Sequence, residues 1–242
     1  MSLERSTEGP EVRLRLRPFR VGDEDDLAAV CLRTGDSGAD ATGLYRSPRL
    51  LGEVFALPYA AWSAETCLVL DAGDRVLGYV VCAPDTTAYE QWFRHAWWPP
   101  REARHRGDRA DGGRDATIVA FARRIGEGPV PFVDRYPAHL HIDLLPEAQG
   151  HGWGRRLIDT LATLLRDRGV PGMQLTAGTR NTGAIAFYRR LGFAELHRTD
   201  DGVTFGMLLD DVTPAALRAG DAEGAAPPGG AAPSRRPGRI SR

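Results

Sequence analysis

The chain contains no lysine, so arginine alone supplies its 31 basic side chains. They are balanced by 32 acidic residues, which leaves a formal net charge of −1. Such a balance provides no overall attraction to nucleic acid or to an anionic membrane surface. We therefore expect neither of them as a partner.

Cysteines and long apolar runs are also few. Cys31, Cys67 and Cys82 are odd in number and widely spaced, which fits neither a paired disulfide framework nor the close spacing of a zinc site. No stretch reaches the ~20 apolar residues of a membrane helix, and the N-terminus is charged without an apolar signal segment. The sequence predicts a soluble, cytoplasmic protein without a metal.

Hydrophobic periodicity predicts that strands and helices alternate along the chain. Strands are indicated near 12–16, 67–70, 76–82, 139–145 and 173–177, with two more between 193 and 209. Helices are indicated after the acidic run at 23–26, at 152–167 and at 181–191, with shorter ones within 45–59 and 116–125. This order favours an α/β (α+β) class with a mixed sheet covered by helices.

The composition predicts one folded domain, at 11–212. Residues 1–10 are expected to be a flexible N-terminus. The segment 216–242 is rich in Ala, Gly and Pro and lacks large apolar side chains that would offset its ordering entropy. We interpret it as a disordered tail, although its arginines leave contact with nucleic acid as an alternative.

Aromatic residues concentrate between Tyr89 and Pro100, a stretch that we call the Trp-rich segment. It contains Trp92, Phe93, Trp97 and Trp98. Such a cluster could line a substrate pocket, but packing or a partner interface is the simpler interpretation, because aromatic side chains mostly supply buried area. Together with the final strands, it could form a homodimer interface.

Three glycines cluster in Gln149-Gly150-His151-Gly152-Trp153-Gly154, between a predicted strand and an amphipathic helix. Glycine adopts positive φ without a Cβ penalty, so successive N–H groups can converge on an anion, and the following helix adds its positive end. A pyrophosphate suits such a loop. Glycines before a helix are a weak signal by themselves, so the context decides.

The context resembles the GNAT family of N-acetyltransferases. Gln149, Gly152 and Gly154 match the fixed positions of its Q/R-x-x-G-x-G/A signature, and the run from Asn181 to Phe193 resembles its N-x-x-A-x-x-F-Y-x-x-x-G-F segment. The resemblance extends from about Val12 to Leu209 and is specific over 137–195. It implies the GNAT fold, a twisted mixed central β-sheet flanked by helices.

The resemblance also implies acetyl-CoA (coenzyme A) as co-substrate, with the strands at 139–145 and 173–177 splayed apart to admit its pantetheine arm. The implied coenzyme-binding residues are Leu144, Leu145, Gln149, Gly150, His151, Gly152, Trp153, Gly154, Arg155, Asn181, Ala184, Phe187, Tyr188 and Arg190. For Asn181 an ordinary helix N-cap is equally compatible with the sequence. Exposed arginines are common, so no single arginine is assigned firmly to a phosphate.

The implied reaction is direct attack by an amine on the thioester. Tyr188 matches the family's usual proton donor to the sulfur, with packing or a simple hydrogen bond as the alternative, and a backbone N–H near Leu145 is expected to meet the oxyanion. His139, His141 and Asp143 alternate on one strand and should share a face. Asp143 is the first candidate for the base and His141 the second. The alternative is that these residues have a purely structural role and hydrogen-bond neighbouring backbone or helix ends.

These features predict an N-acetyltransferase that acts on a primary amine of a small molecule or peptide. Within the family, residues 45–57, 78–85 and 139–143 look most similar to the acetyltransferase-like domain at the C-terminus of O-GlcNAcase and its bacterial relatives. Such domains need not retain catalysis. The alternative is therefore a degenerate domain that binds acetyl-CoA or a protein partner without turnover.

Overall fold

Seven strands form one sheet in the computed structural model, which describes residues 14–105 and 113–209. The strands are β1 (Arg15–Pro18), β2 (Leu68–Asp71), β3 (Val76–Ala83), β4 (Ala138–Leu144), β5 (Gly172–Gly178), β6 (Ala194–Arg198) and β7 (Gly202–Leu208). Their spatial order is β1-β2-β3-β4-β5-β7-β6. Only β4 and β5 pair in parallel, so the predicted mixed sheet is confirmed. The predicted N-terminus at 1–10 and the tail at 216–242 lie outside the described residues.

Helices cover this sheet, as predicted. They are α1 (Glu24–Arg33), α2 (Leu50–Phe55), α3 (Leu57–Trp62), α4 (Thr86–Trp92), α5 (Trp98–Glu102), α6 (Arg114–Arg124), α7 (Trp153–Asp167) and α8 (Thr182–Arg190). The short helix expected within 45–59 is in fact two helices. Pro58 lies in the first turn of α3, where its missing N–H costs nothing, and it cannot continue α2.

The core lies on both faces of β4. Leu140, Ile142 and Leu144 are at most 2% exposed and form the apolar face of this strand. Helix α7 packs on β2 and β3 with a stripe of fully buried leucines at i, i+4 and i+8, namely Leu157, Leu161 and Leu165. Within the described residues, no helix is long and apolar enough to cross a membrane.

The Trp-rich segment folds as α4, a π-helical turn over Phe93–Trp97, and α5. Phe93, Trp97 and Trp98 are buried, and Phe93 stacks on Trp98 with ring centroids 6.0 Å apart. The packing interpretation of this segment therefore agrees with the structure for these three residues.

We predict that Gly78→Ala lowers the free energy of unfolding by about 1–3 kcal/mol, the usual cost of overpacking a core. Gly78 pairs with Leu144, and an added Cβ would lie 2.7 Å from Leu144 Cδ2 and 2.8 Å from the Asp143 carbonyl oxygen. Urea unfolding measures the change.

Gly183→Ala is the matched control for Gly78→Ala. Gly183 lies in α8, and an added Cβ there would meet its nearest atom only at 3.9 Å. Because alanine favours a helix over glycine, this change should raise stability by up to about 1 kcal/mol. Equal effects of the two changes would contradict the tight packing of β3 against β4.

Candidate active site

The central feature of the site is a gap between β4 and β5. These strands pair only through Ala138 with Met173 and His139 with Gln174, although both continue for several residues beyond. Along its other edge, β5 pairs with β7 over its whole length. The predicted splay of the two strands is thus present.

The backbone of β4 shows which groups face this gap. Leu145 N–H donates to the Leu77 carbonyl of β3 at 2.8 Å, so the odd-numbered residues of β4 use their backbone groups toward β3. By alternation, the N–H groups of Ile142 and Leu144 point toward β5, which does not pair with them. Among the backbone N–H groups near Leu145, where the oxyanion donor is expected, that of Leu145 itself is occupied, whereas that of Leu144 faces the gap.

The glycine loop at 149–154 follows the end of β4 directly. Gly150 and Gly152 adopt φ of +79° and +75°, and no atom lies within 4 Å of where a Cβ would be on either. In the described part of the chain, none of the backbone N–H groups from Gly150 to Arg155 has a hydrogen-bond partner. Left-handed residues turn such groups toward one side, so the loop and the start of α7 form an open anion-binding concavity.

Gln149 has a bracing role in this loop. Its Nε2 donates to the Leu144 carbonyl at 2.8 Å and so ties the loop to the last residue of β4. In the structure, the Gln149 side chain, which the sequence analysis assigned to the coenzyme, is thus used within the loop.

The other predicted coenzyme-binding residues lie around the loop or on α8. His151 is exposed and Trp153 is half-buried, with the Arg156 guanidinium 4.5 Å from the centre of its ring. Arg155 Nη2 donates to the Arg190 carbonyl at 3.5 Å, which brings the start of α7 to the end of α8. An acidic side chain is absent from the first turn of α7, so nothing there opposes an anion.

Helix α8 begins with a side-chain cap. The Asn181 side chain accepts a hydrogen bond from Ala184 N–H at 3.1 Å, so the N-cap role that the sequence left open is present. Ala184 and Phe187 are 0% and 7% exposed and pack inside the domain. These three residues shape α8 and thereby position the tyrosine that it carries.

That tyrosine is Tyr188, which lies across the gap. The centre of its ring lies 5.7 Å from the centre of the Phe205 ring on β7. Its hydroxyl lies close enough to Asp143 of β4 for the carboxylate charge to influence it. Burial raises the pKa of Tyr188 well above its usual range, and the Asp143 charge adds to the rise. Tyr188 makes no hydrogen bond to any described residue, so its phenol stays protonated and available.

The polar face of β4 brings together the histidines and the aspartate, as predicted. His141 is half-buried between Tyr59 and Phe55, whose ring centres lie 5.3 and 5.6 Å away. Desolvation by these neighbours lowers the pKa of His141 to about 4. Its imidazole makes no hydrogen bond within the described chain, so a neutral ring nitrogen is left for a ligand.

Asp143 is 3% exposed and accepts a short hydrogen bond from the Tyr79 hydroxyl, which is fully buried on β3. The two residues are direct cross-strand partners. Desolvation raises the pKa of Tyr79 far above its usual range, with the Asp143 charge as the next cause, so Tyr79 is the donor. A carboxylate held in this way is less accessible to an incoming amine than His141.

His139 has a structural role, since both of its ring nitrogens are bonded. Thr86 Oγ1 donates to the Pro137 carbonyl at 2.6 Å, so it must accept from His139 Nδ1 at 3.0 Å. Nε2 then accepts from the Tyr59 hydroxyl at 2.6 Å. Burial lowers the pKa of His139 to about 3.

Sequence reasoning missed Tyr79 and the aromatic neighbours Phe55 and Tyr59. Tyr79 stands in an apolar run with nothing to mark its hydroxyl, and its partner is 64 residues away.

Among residues 14–105 and 113–209, no group of three His, Cys, Asp or Glu side chains could hold a metal ion.

Comparison with curated proteins found relatives named mycothiol acetyltransferase. One, from Cellulomonas flavigena, is 46% identical over 94 residues, which are 39% of this chain and 23% of the relative. Another, from an Arthrobacter species, is 38% identical over 65 residues, which are 27% and 19%. The matches thus span less than a quarter of these relatives.

Solved structures match over more of the chain. The crystal structure of a protein named SsHAT is 36% identical with a TM-score of 0.76, over 81% of this chain and 98% of that one. An agmatine N-acetyltransferase is 20% identical with a TM-score of 0.54, over 81% and 99%. The second likeness shows the fold alone.

The sequence profile of the "Acetyltransferase (GNAT) family" matches residues 40–193, which include the gap, the glycine loop and α8. This match covers more than half of the chain. The chain therefore belongs to the GNAT family of acetyltransferases, enzymes that use acetyl-CoA as co-substrate.

Proposed function

We propose that this acetyltransferase transfers the acetyl group to a primary amine by direct attack on the thioester. The observation that carries the proposal is the gap between β4 and β5, with the glycine loop at its end, Tyr188 across it and His141 on the polar face of β4. Acetyl-CoA supplies the activated acetyl thioester. Every other requirement of the reaction falls to residues of the chain.

The glycine loop suits the coenzyme's pyrophosphate. Its unpartnered N–H groups from Gly150 to Arg155 can bond phosphate oxygens, and the positive end of α7 favours the charge. The backbone of Ile142 and Leu144, which faces the gap, can pair with the amides of the pantetheine arm. This arrangement would place the thioester beside β4.

His141 is proposed as the base that meets the amine. It takes the proton that the nitrogen loses as the new carbon–nitrogen bond forms, and Leu144 N–H stabilises the charge that develops on the carbonyl oxygen. Asp143, the first candidate from sequence, is proposed to assist without contacting the amine directly. It acts either through a water molecule or by the attraction between its charge and the developing ammonium.

Tyr188 is proposed to protonate the departing sulfur as the carbon–sulfur bond breaks. The phenol is held protonated by burial and by Asp143, so it is in the required state at neutral pH. One proton leaves the nitrogen and one reaches the sulfur, so the transfer is balanced.

We further propose that the acceptor is a small molecule or peptide with a primary amine, and that the narrower relationship is to O-GlcNAcase-like domains. The narrower relationship rests on residues 45–57, 78–85 and 139–143, while the mycothiol acetyltransferase matches are too short to name the acceptor. A homodimer and a cytoplasmic location remain predictions. The three cysteines are free and buried, in keeping with such a location.

We predict that Gly150→Ala and Gly152→Ala each weaken acetyl-CoA binding about tenfold, because a left-handed alanine costs roughly 1–2 kcal/mol and the loop would relax away from its shape. Calorimetric titration measures the affinity. Gly169→Ala is the control, since Gly169 has φ of +71° with nothing within 4 Å and lies at the other end of α7. Equal affinity of all three variants would reject the loop as the pyrophosphate site.

Tyr188→Phe should lower kcat roughly 10²-fold, the lower range of general acid catalysis, and change the acetyl-CoA Kd by less than about twofold. Phenylalanine keeps the ring contacts with Phe193 and Phe205 and removes only the hydroxyl. Tyr136→Phe, at another buried tyrosine, should leave both values unchanged. Wild-type turnover in the Tyr188 variant would show that this residue only packs.

His141 should titrate near pH 4, as measured by NMR of its ring protons. The unfolded chain binds this proton near pH 6.5, so it holds more protons than the folded chain between pH 6.5 and 4. Stability should therefore fall as the pH decreases through that window, with His139 contributing in the same direction. His141→Gln should reduce the slope and lower kcat.

His197→Gln is the control for His141→Gln. His197 is exposed on β6, far along the sheet from β4, and its replacement should leave kcat unchanged. A pKa of His141 close to 6.5 would mean that this ring is fully hydrated and would contradict its place between Phe55 and Tyr59.

A further inference from the structure

A cavity of about 580 Å³ opens on the outer side of α2 and α3. Its wall comes from the connection between β1 and α1, from α2 and α3, and from α5 with the turn before it. No residue of β4, the glycine loop or α8 lines it. It is therefore separate from the proposed acetyl transfer site, and its size lies within the range of small-molecule sites.

The floor of this cavity is apolar and one wall is a fixed indole. Phe19, Leu57 and Ala60 form the floor. Trp97, from the Trp-rich segment, is 9% exposed, and its Nε1 donates to the Glu53 carbonyl at 2.8 Å. Because that bond fixes the ring plane, the indole is a preformed part of the cavity wall.

Arg101 places a positive charge against this indole. Its guanidinium carbon lies 3.1 Å from the centre of the Trp97 ring, and Nη1 donates to the Trp97 carbonyl at 2.8 Å. Burial lowers the pKa of Arg101, with Glu53 and Arg104 as lesser influences. Within the described residues, Arg101 has no carboxylate at ion-pair distance.

Of the other charged residues that line the cavity, Glu53, Arg104 and Arg49 are ion-paired, whereas Glu24 accepts a hydrogen bond from Gly22 N–H at 2.6 Å and has no ion pair among the described residues. Glu53 is 6% exposed, and its two oxygens are held by Arg104 at 2.7 Å and by His105 at 2.8 Å. Arg49 forms a short ion pair with Asp25. A cationic ligand would therefore find no free carboxylate in Glu53, whereas an anionic ligand would find one unpaired guanidinium.

We propose that this cavity binds a small organic carboxylate, with its charge on Arg101 and its apolar part against Trp97, Phe19 and Leu57. A planar guanidinium matches a carboxylate through two parallel hydrogen bonds. The Trp-rich segment thus contributes a binding wall in addition to its packing role.

Phenylacetate and hexanoate are suitable probes, an aromatic and an aliphatic member of this class. Each is titrated into the purified full chain by calorimetry, beside its uncharged amide, phenylacetamide or hexanamide. At least one carboxylate should bind saturably, and its amide should bind at least about tenfold more weakly, because a charge-assisted hydrogen bond is lost. Saturating acetyl-CoA should not displace the carboxylate.

Arg101→Gln should weaken carboxylate binding at least about tenfold and leave amide binding unchanged. Arg168→Gln is the matched control, because Arg168 also donates Nη1 to the carbonyl four residues earlier, Leu164 at 2.9 Å, but lies exposed at the end of α7. Ala61→Phe, at an exposed position on the cavity wall, narrows the cavity without entering the core and should also weaken binding.

Any of four results would overturn the proposal. One is the absence of saturable binding by both carboxylates, and another is equal affinity for carboxylate and amide. The third is unchanged affinity in Ala61→Phe, which decides the matter even where Arg101→Gln fails to fold. Displacement by acetyl-CoA would instead place the probe in the gap between β4 and β5 and would equally reject this site.

Discussion

The early end of pairing between β4 and β5 is the constraint on which the rest of the molecule depends. A parallel pair that continued to Leu144 would satisfy the backbone of β4 and close the sheet. Because β5 pairs with β4 only up to Gln174, while its other edge stays paired with β7, two residues of β4 keep N–H groups that must find partners elsewhere. The glycine loop and α8 are arranged around this opening, one at its end and the other across it.

Each polar side chain on a face inside a folded domain needs its own hydrogen-bond partner. On β4, His139 is bonded by Tyr59 and Thr86, and Asp143 is bonded by Tyr79. His141, between them, is surrounded by rings and has no such partner among the described residues. For this reason we propose His141, rather than Asp143, the first candidate from sequence, as the group that meets substrate.

The parts that could be predicted from sequence are those set by local chain chemistry. Gly150, Gly152 and Asn181 act through their own backbone angles or a neighbour three residues on, so a short motif is enough to find them. Tyr79 and Arg101 could not be found in this way. The bond of Tyr79 depends on strand pairing across 64 residues, and the cavity at Arg101 depends on where α5 packs against α2.

The bond between Gln149 and the Leu144 carbonyl has a consequence for the direction in which a ligand can lie in the gap. This bond uses the Leu144 carbonyl as its acceptor, while Leu144 N–H and the N–H groups of the loop stay available as donors. The loop end of the gap therefore presents a cluster of donors. A long ligand with oxygens at one terminus would place that terminus at the loop, and its reactive end would then lie toward the middle of β4 before any side chain acts.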